Sequence, residues 1–583
     1  MVLAVGLAML VWTWGTWPDV LVDFGGEIGV AWRLSAGDAL YRDLAYFTGP
    51  LSPYANSVVF RVFGASLRTL VLSNLVVLAA IAFLLHRLVA RIAGALAAAA
   101  ALVVFLTLFA FAQLEFIGNS NYVCPYSHET THGALLSLLA LAALDRWLAS
   151  RRGVWIAAIG FLLGLVFLTK VEIFLALGAA LLLGLAFGFA ADRRGIGRST
   201  ALLAVCAAAP VAAAFLLLAT AMDPALAWKG TLGAWVYVGD DRITSLAFYR
   251  GVMGTDRPRE NAGKLLATAG QWLMLLGPAA LAAIAWRRRG RAGGGALPLG
   301  IGAVLAASTL AALRLSPVAW IELGRPLPLF AGLSLCGTLI ARFRARDEEA
   351  RRRAVLACAF ALFGLALLAK MALHARINMY GFALAMPAAM LLVAALVDWV
   401  PWLLERLGGR GALFRGVALG LLGVAIPAHL SIQAGFLSRK TVTVGEGSDA
   451  FRADGRGAYV NAAVEALRSK LSPGATLAVL PEGVMINYLL RARTPAKYIN
   501  YMPPELLMFG QEAIVADFRR APPDLVAVVH KSTAEYGLPW FGENYGGDLM
   551  AFVRESYAPG PLIGGEPLRP GTLFGIRLYA LRR

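Results

Sequence analysis

The chain has 583 residues, of which 59% are hydrophobic and only 15% are charged, and its formal net charge is +18. This composition is too apolar for an ordinary soluble protein and excludes that class. The positive charge does not indicate nucleic-acid binding, because the arginines lie in short clusters between apolar runs, as they do in the cytoplasmic loops of membrane proteins.

The apolar runs predict a polytopic membrane protein. The first run, Val2 to Trp17, lacks a basic leader and a small-residue cleavage site, so we expect an uncleaved span with Met1 on the cytoplasmic side. A span needs about 20 apolar residues, and placing the basic clusters inside gives about thirteen crossings. After the first, the predicted spans are Leu70 to Leu85, Ile92 to Ala112, Gly133 to Leu148, two within Val154 to Ala190, Thr200 to Ala221, Trp272 to Trp286, Leu297 to Leu313, Leu327 to Ile340, Val355 to Ala369, Tyr380 to Val397 and Val417 to Phe436.

The chain therefore divides into a membrane part, 1–437, and a C-terminal part, 438–583. The main predicted external loops are 18–68, 113–132 and 222–268, and the odd number of crossings also places residues 438–583 outside. This last part alternates helical and strand-like patterns, which predicts a small α/β domain. The helical patterns are Ala458 to Leu471 and Gln511 to Arg520, and the strand-like runs are Thr476 to Leu480, Leu525 to Val529 and Leu573 to Tyr579. It contains no nucleophile elbow, Walker loop or dinucleotide fingerprint, so we expect no catalysis by this domain.

The first external segment, Val22 to Asn56, is dense in acidic and aromatic residues. Asp23 and Glu27 are one helical turn apart if the segment is helical, so both carboxylates would face one cavity. A carboxylate beside hydrocarbon is costly to keep charged, which makes it a candidate functional group. The alternative is an ordinary solvated loop acid.

Further polar residues lie close to a span on the same predicted side and would line one cavity with the two acids. Acids in such a set can serve as a general base, and its cations can hold an anionic phosphate. The candidates are Tyr41, Tyr126, His128, Glu129, His132, Lys170, Arg325, His374, Arg376 and Tyr380.

Several of these residues have a plainer interpretation. Tyr41 lies beside a local Arg-Asp pair that would only shape the loop. His128, Glu129 and His132 form an H-E-x-x-H pattern, which binds zinc in metalloproteases. Here the pattern opens a membrane span without an evident third ligand, and the plainer interpretation is that its residues would cap the helix. Lys170 would reach the membrane interface or pair with Glu172.

The plainer interpretation extends to two other features. His374 suits an interface residue with satisfied hydrogen bonds better than a proton carrier. The aromatic residues from Trp228 to Tyr249 fit an interfacial belt or a lid over the cavity, and we expect the belt.

The segments WRLSAGDALYRDL, GPLSPY, FLTK and RINMYGF resemble the GT-C superfamily of membrane glycosyltransferases, most nearly the protein mannosyltransferase and aminoarabinose transferase group. The resemblance covers the membrane part and implies inverting transfer of a sugar from a polyprenyl-phosphate donor. The acceptor would be a lipid, a glycan or a protein at the outer face of the bacterial cytoplasmic membrane.

The resemblance also assigns roles to residues. Asp23 matches the first-loop acid and would deprotonate the acceptor hydroxyl. The family's adjacent Asp-Glu pair is replaced here by Asp23 with Glu27 four residues on, so the base stays open between the two. Lys170, and Arg376 with Tyr380, match segments that would hold the lipid phosphate. No cofactor is assigned, and a divalent cation stays an open alternative.

Three other functions compete with glycosyl transfer. A transporter or flippase for lipid-linked glycans would line a translocation path with these charges, although such proteins carry charges near the membrane midplane. A ligase would transfer a whole glycan without needing the first-loop acid. A scaffold would use the external domain to bind partners.

Overall fold

The computed structural model describes residues 1–191, 195–285 and 319–582. Over these residues the fold is a bundle of apolar helices with an α/β domain at the C-terminal end, as the sequence predicts. Two shorter apolar helices, Val2–Thr13 and Gly153–Phe167, accompany nine helices that are long and apolar enough to cross a membrane. The nine are Leu67–Ala110, His128–Ser150, Val171–Ala191, Ile196–Ala219, Ala247–Ala285, Trp320–Arg344, Glu348–Met371, Gly381–Arg406 and Gly411–Leu437.

The long stretch Leu67–Ala110 is a helical hairpin. Gly94 interrupts it with a φ of 80°, a backbone conformation that glycine adopts without a steric penalty. The backbone N–H of Leu67 donates to Asp449 at 2.8 Å, and Phe111 O accepts from the Gln433 side chain at 3.2 Å, so one end lies beside the C-terminal part and the other beside the last turns of the helix Gly411–Leu437 that leads into it. Arg91, near the turn, forms an ion pair with Asp145 at 3.4 Å. The stretch therefore contains the second and third predicted spans.

The predicted number of spans agrees with the helices described. The two halves of the hairpin, the eight other long helices and the two shorter ones account for twelve spans. The remaining predicted span, Leu297 to Leu313, lies outside the described residues, as do the arginine clusters at 193–194 and 287–291.

The first predicted loop, 18–68, is largely helical. It contains the helices Phe24–Ser35 and Leu51–Phe63. Phe24, Ile28 and Ala31 are fully buried, at a spacing that places them on one face of the first helix. The sequence left a helix open for this segment, and the buried face of the helix packs against protein and not against lipid. The third predicted loop, 222–268, likewise contains the short helices Pro224–Leu232, Asp241–Thr244 and Ala247–Met253 and the start of Pro258–Ala285.

Residues from 438 onward form a four-stranded sheet flanked by helices. The strand order is Leu477–Leu480, Leu525–Val529, Gly575–Leu581 and Tyr557–Gly564, and the first pair is parallel, with Leu480 opposite Val528. A two-stranded ladder, Val442–Val444 with Phe451–Ala453, precedes it. The main helices are Arg456–Arg468, Val484–Leu490, Pro503–Phe509, Gln511–Arg520 and Gly547–Ser556.

Three of these strands were predicted and the strand Tyr557–Gly564 was not. Its sequence YAPGPLIG carries two prolines and two glycines, which are rare inside sheets. The strand lies at the edge of the sheet, where proline is tolerated because one side of the strand needs no partner.

The C-terminal part covers one end of the bundle, which we call the capped end. A Cβ added to Gly25 would lie 2.3 Å from the backbone nitrogen of Met485, so the first-loop helix and the helix Val484–Leu490 touch backbone to backbone. Arg456 pairs with Asp19 at 2.7 Å, which joins the same two parts of the chain. The first loop is thus fixed between the bundle and the C-terminal part.

Candidate active site

A cavity of about 430 Å³ lies at the capped end. Its wall combines the first loop, the second loop, the ends of bundle helices and the C-terminal part. The polar residues that line it are Asp23, Glu27, Tyr46, Thr48, Glu115, Asn119, Ser120, Tyr126, Ser127, Glu129, Lys170, Glu172, Tyr249, Lys370, Tyr380, Glu482, Tyr498, Asn500, Glu505, Lys531, Glu535 and Tyr536.

Asp23 lies at the N-terminus of the first-loop helix, with a φ of 53° that non-glycine residues rarely adopt. Its side chain is open to the cavity and enclosed by protein beyond it. Asn119 Nδ2 donates to Oδ2 at 3.2 Å, and within the described residues Oδ1 accepts no hydrogen bond. Burial, and then the nearby carboxylate of Glu482, raise the pKa of Asp23 to about 7. A carboxylate with this pKa can accept a proton near neutral pH.

Glu27 faces the same cavity but is more firmly bound. The backbone N–H of His128 donates to its Oε2 at 3.0 Å, and Nδ1 of the same histidine lies 2.6 Å away. Asn74 Nδ2 lies 3.0 Å from Nε2 of His128, which places the imidazole proton on Nδ1, where it is donated to Glu27. Burial, and then the charge of Glu129, raise the pKa of Glu27. Asp23 is therefore the freer of the two acids.

The residues of the H-E-x-x-H pattern form hydrogen bonds with neighbouring side chains. Glu129 accepts from the hydroxyls of Tyr46 at 2.5 Å, Ser127 at 2.7 Å and Thr48 at 2.8 Å. The His132 ring lies 3.0 Å from the Ser52 hydroxyl. Of the pattern, only Glu129 lines the cavity. Across the part of the chain that is described, no three His, Cys, Asp or Glu side chains are grouped as metal ligands.

Two lysines enter the cavity from the bundle helices. Lys170 Nζ lies 4.7 Å from the centre of the Tyr126 ring and 3.5 Å from its hydroxyl, and it forms no ion pair with any described carboxylate. Glu172 pairs instead with Lys370 at 2.7 Å, and the Lys370 ammonium lies 4.8 Å from the Tyr380 ring. The predicted alternative of a Lys170–Glu172 pair is absent from these contacts, and Lys370 is an additional cation at the site.

Arg376, Arg325 and His374 lie beside the cavity and not in its wall. Arg376 Nη1 contacts Met379 Sδ at 3.0 Å, and Met379, which does line the cavity, donates its N–H to Glu115 at 2.9 Å. Burial lowers the pKa of Arg376. Arg325 is buried and paired with Glu322, and His374 Nδ1 donates to Gly251 O at 2.8 Å. Tyr380 is the late aromatic residue that reaches the cavity.

Tyr41 does not line the cavity. Its hydroxyl donates to Thr48 O at 2.7 Å, and its ring packs against the small residue Gly230. It therefore supports the wall from behind.

The C-terminal part supplies acidic and basic groups that the sequence analysis did not select. Glu482 and Lys531 follow the neighbouring strands Leu477–Leu480 and Leu525–Val529. Asn500 Nδ2 donates to Glu505 at 2.7 Å, and burial raises the pKa of Glu505 to about 8. Charged residues directly after two wholly apolar strands were the signal available in the sequence, because the carboxyl ends of parallel strands meet at one edge.

Aromatic residues of the third loop cover the cavity. Phe248 and Tyr249 line it, and their rings lie 5.1 Å and 6.4 Å from the ring of Tyr536 in the C-terminal part. This part of the Trp228–Tyr249 segment is placed as a lid and not as the interfacial belt that we expected.

No family model matches the chain, and no curated protein matches it. Among solved structures, the chain is similar to the Archaeoglobus fulgidus oligosaccharyltransferase in complex with Zn and sulfate, with a TM-score of 0.49 and 14% identity over 100% of this chain and 73% of that one. It is similar to archaeal oligosaccharyltransferase AglB from Archaeoglobus fulgidus in complex with an inhibitory peptide and a dolichol-phosphate, with a TM-score of 0.48 and 14% identity over 100% and 74%. It is also similar to ArnT from Cupriavidus metallidurans bound to undecaprenyl phosphate, with a TM-score of 0.45 and 16% identity over 99% and 97%.

Proposed function

We propose that the chain is an inverting glycosyltransferase that moves a sugar from a polyprenyl-phosphate donor to an acceptor at the outer face of the bacterial cytoplasmic membrane. One observation carries the proposal. Asp23, a carboxylate with a pKa of about 7, lines the same cavity as Lys170, an ammonium without a described carboxylate partner. A base and an unpaired cation are what this reaction needs on the two sides of the anomeric carbon.

In the proposed reaction, Asp23 accepts the proton of the acceptor hydroxyl. The freed oxygen attacks the anomeric carbon from the face opposite the lipid phosphate, so the configuration at that carbon inverts. Oδ1 of Asp23 suits this role because it accepts no hydrogen bond from the described residues. Glu27 is less suited, since His128 already donates two hydrogen bonds to it.

As the new bond forms, the bond between the anomeric carbon and the phosphate oxygen breaks, and its electron pair stays on the phosphate. Lys170 and the hydroxyl of Tyr380 line the cavity where they would contact this charge. Arg376, directly beside Met379 of the wall, would add a second cation at the edge. Arginine binds phosphate oxygens through two parallel N–H groups, which favours a defined orientation of the leaving group.

The position of the cavity favours a transferase over a transporter. Its charged residues lie at the capped end, while the helix His128–Ser150 that starts at its wall buries Leu138, Leu141 and Leu144 further along the bundle. A transport path would need polar side chains along that depth. A ligase that transfers a whole glycan is the remaining alternative, and it would not need the Asp23 carboxylate.

The test is Asp23→Asn in purified protein reconstituted in lipid nanodiscs. A panel of undecaprenyl-phosphate sugars is supplied with outer-membrane or cell-wall acceptor extracts, and release of undecaprenyl phosphate is followed by mass spectrometry. Loss of a general base lowers the rate by about 10²–10⁴-fold. Asp241→Asn, the same change at an exposed acid in the third loop, is the matched control. An Asp23→Asn variant that turns over at the wild-type rate rules out the proposed mechanism.

A further inference from the structure

A charged side chain from the other end of the sequence contacts the backbone of Asp23. The backbone N–H of Asp23 donates to Glu482 Oε1 at 3.1 Å, and Lys531 Nζ lies 3.3 Å from Glu482 Oε2. Glu482 and Lys531 meet because the strands before them are parallel neighbours, with Leu480 opposite Val528. The C-terminal sheet thus presents an ordered ion pair to the first-loop acid.

The carboxylate of this ion pair is buried, and its ammonium is partly exposed. Glu482 is 5% exposed and the Lys531 side chain is 21% exposed. A buried carboxylate is strongly destabilising unless it is paired and hydrogen-bonded, and the partners here are the Lys531 ammonium and the Asp23 N–H. The two contacts therefore fix Glu482 and, through it, the main chain of Asp23.

Asp23 needs such a support because of its backbone conformation. Its φ of 53° and ψ of −60° are strained for a residue with a Cβ. Such conformations persist only where the surroundings hold them, and they concentrate at functional sites. Asn119 holds the segment from the other side by donating to Val22 O at 3.1 Å and to the Asp23 carboxylate at 3.2 Å.

We propose that Glu482 and Lys531 are positioning residues for Asp23, the first by holding its N–H beside a negative charge and the second by balancing that charge. This inference rests on the proposed role of Asp23 as base. It gives the C-terminal part a share in catalysis for which its sequence motifs provide no indication. The charge of Glu482 opposes ionisation of Asp23 and makes it a stronger base, while Lys531 limits the effect.

Other groups that face Asp23 act in the same or the opposite direction. Asp19, earlier in the first segment, adds a weaker negative charge, and Asn119 stabilises the carboxylate by its hydrogen bond. The remaining ionisable neighbours lie on the third loop, the bundle helix ends and the C-terminal part. They are neutral tyrosines, namely Tyr126, Tyr249, Tyr380 and Tyr536, and one acid with a raised pKa, Glu505. Glu482 and Lys531 are thus the neighbours whose neutralisation changes the field at Asp23 most.

The test measures kcat/KM against pH for Glu482→Gln, Lys531→Met and the wild type, with the undecaprenyl-phosphate sugar that the wild type turns over fastest. Glu482→Gln keeps an oxygen for the Asp23 N–H and removes the charge, so the acid limb of the profile shifts to lower pH by about half a unit or more. Lys531→Met removes the balancing charge, so the limb shifts to higher pH. Glu512→Gln, an exposed acid on the same part of the chain, leaves the limb in place.

Opposite shifts in the two variants support the inference, because a loss of folding would not move the limb in two directions. A limb that stays at the wild-type pH in both variants, while Asp23→Asn stays inactive, overturns the positioning role and leaves the proposed function standing. Full activity of Asp23→Asn overturns the proposed function itself. Glu482→Ala, which removes the acceptor of the Asp23 N–H, is expected to lower kcat at the plateau at least about tenfold with little change in KM. If Glu482→Gln does not fold, the Lys531→Met variant alone tests the inference: a shift of its acid limb to higher pH supports the inference, and no shift or a shift to lower pH overturns it.

Discussion

The raised pKa of Asp23 has a consequence for stability that can be measured without knowing the substrate. The folded protein holds a proton on Asp23 up to about pH 7, whereas an unfolded aspartate loses it near 3.8. Folding is therefore favoured by protonation, and its free energy becomes less favourable as pH rises from about 4 to about 7. Replacing Asp23 by Asn removes the ionisation and should stabilise the protein at alkaline pH.

The size of the effect follows from the shift. A pKa difference of about three units corresponds to about 4 kcal/mol if fully expressed, at about 1.4 kcal/mol per unit. The side chain opens into the cavity, where solvent screens its charge, so we expect about 1 to 2 kcal/mol. At pH 8 the wild type carries this penalty. At pH 5.5 the aspartate is protonated in the folded state, so the Asp23→Asn variant gains less stability over the wild type than it does at pH 8.

The measurement is the thermal unfolding midpoint of purified wild type and Asp23→Asn, followed by the fluorescence of the 14 tryptophans. We expect the variant to melt at higher temperature than the wild type at pH 8, with a smaller difference at pH 5.5. Asp241→Asn, at an exposed position, should show no such pH dependence. A difference that is equal at both pH values, or a variant that is less stable at pH 8, refutes the reasoning about Asp23.

Three further predictions concern the rest of the cavity. Glu27→Gln should lower kcat/KM by less than about tenfold, since His128 holds this acid in a supporting position, and a drop as large as that of Asp23→Asn would make Glu27 the base. Lys170→Met should weaken binding of undecaprenyl phosphate about tenfold or more, because a charge-assisted hydrogen bond contributes about 1.5–3 kcal/mol. Native mass spectrometry measures this binding. Equal weakening by Lys264→Met, at an exposed paired lysine, would contradict the role of Lys170. Gly381→Ala would place a Cβ 1.7 Å from Arg376 O, so it should lower both the melting temperature and binding of the same lipid, whereas Gly332→Ala meets nothing within 4 Å and should change neither.

The membrane part of the fold was predictable because its signal is local. Apolar runs and arginine clusters located the helices, and the turn at Gly94 falls three residues beyond the basic cluster that ends at Arg91. Local pattern failed in the first loop, where Phe24 and Ile28 are apolar because they face protein. A hydropathy pattern does not distinguish these two environments.

The site was predictable only in part, for a related reason. Six of the residues selected by their position next to a span line the cavity: Asp23, Glu27, Tyr126, Glu129, Lys170 and Tyr380. Position next to a span could not identify the partners of these residues. The Asp23 N–H, for example, donates to Glu482, which is 459 positions away in the sequence. Such contacts depend on how the C-terminal sheet docks, which no local pattern encodes. Lys370 was not selected, and its pairing with Glu172 spans 198 positions.

The backbone contact between Gly25 and Met485 bears on how the protein is made. The first-loop helix is synthesised early, yet the surface that Met485 covers stays open until the C-terminal part has been synthesised and has folded. Until then Asp23 lacks the part of the cavity wall that Glu482 and Lys531 supply. A cavity whose wall is shared between the two ends of the chain is therefore complete only when the whole chain has folded.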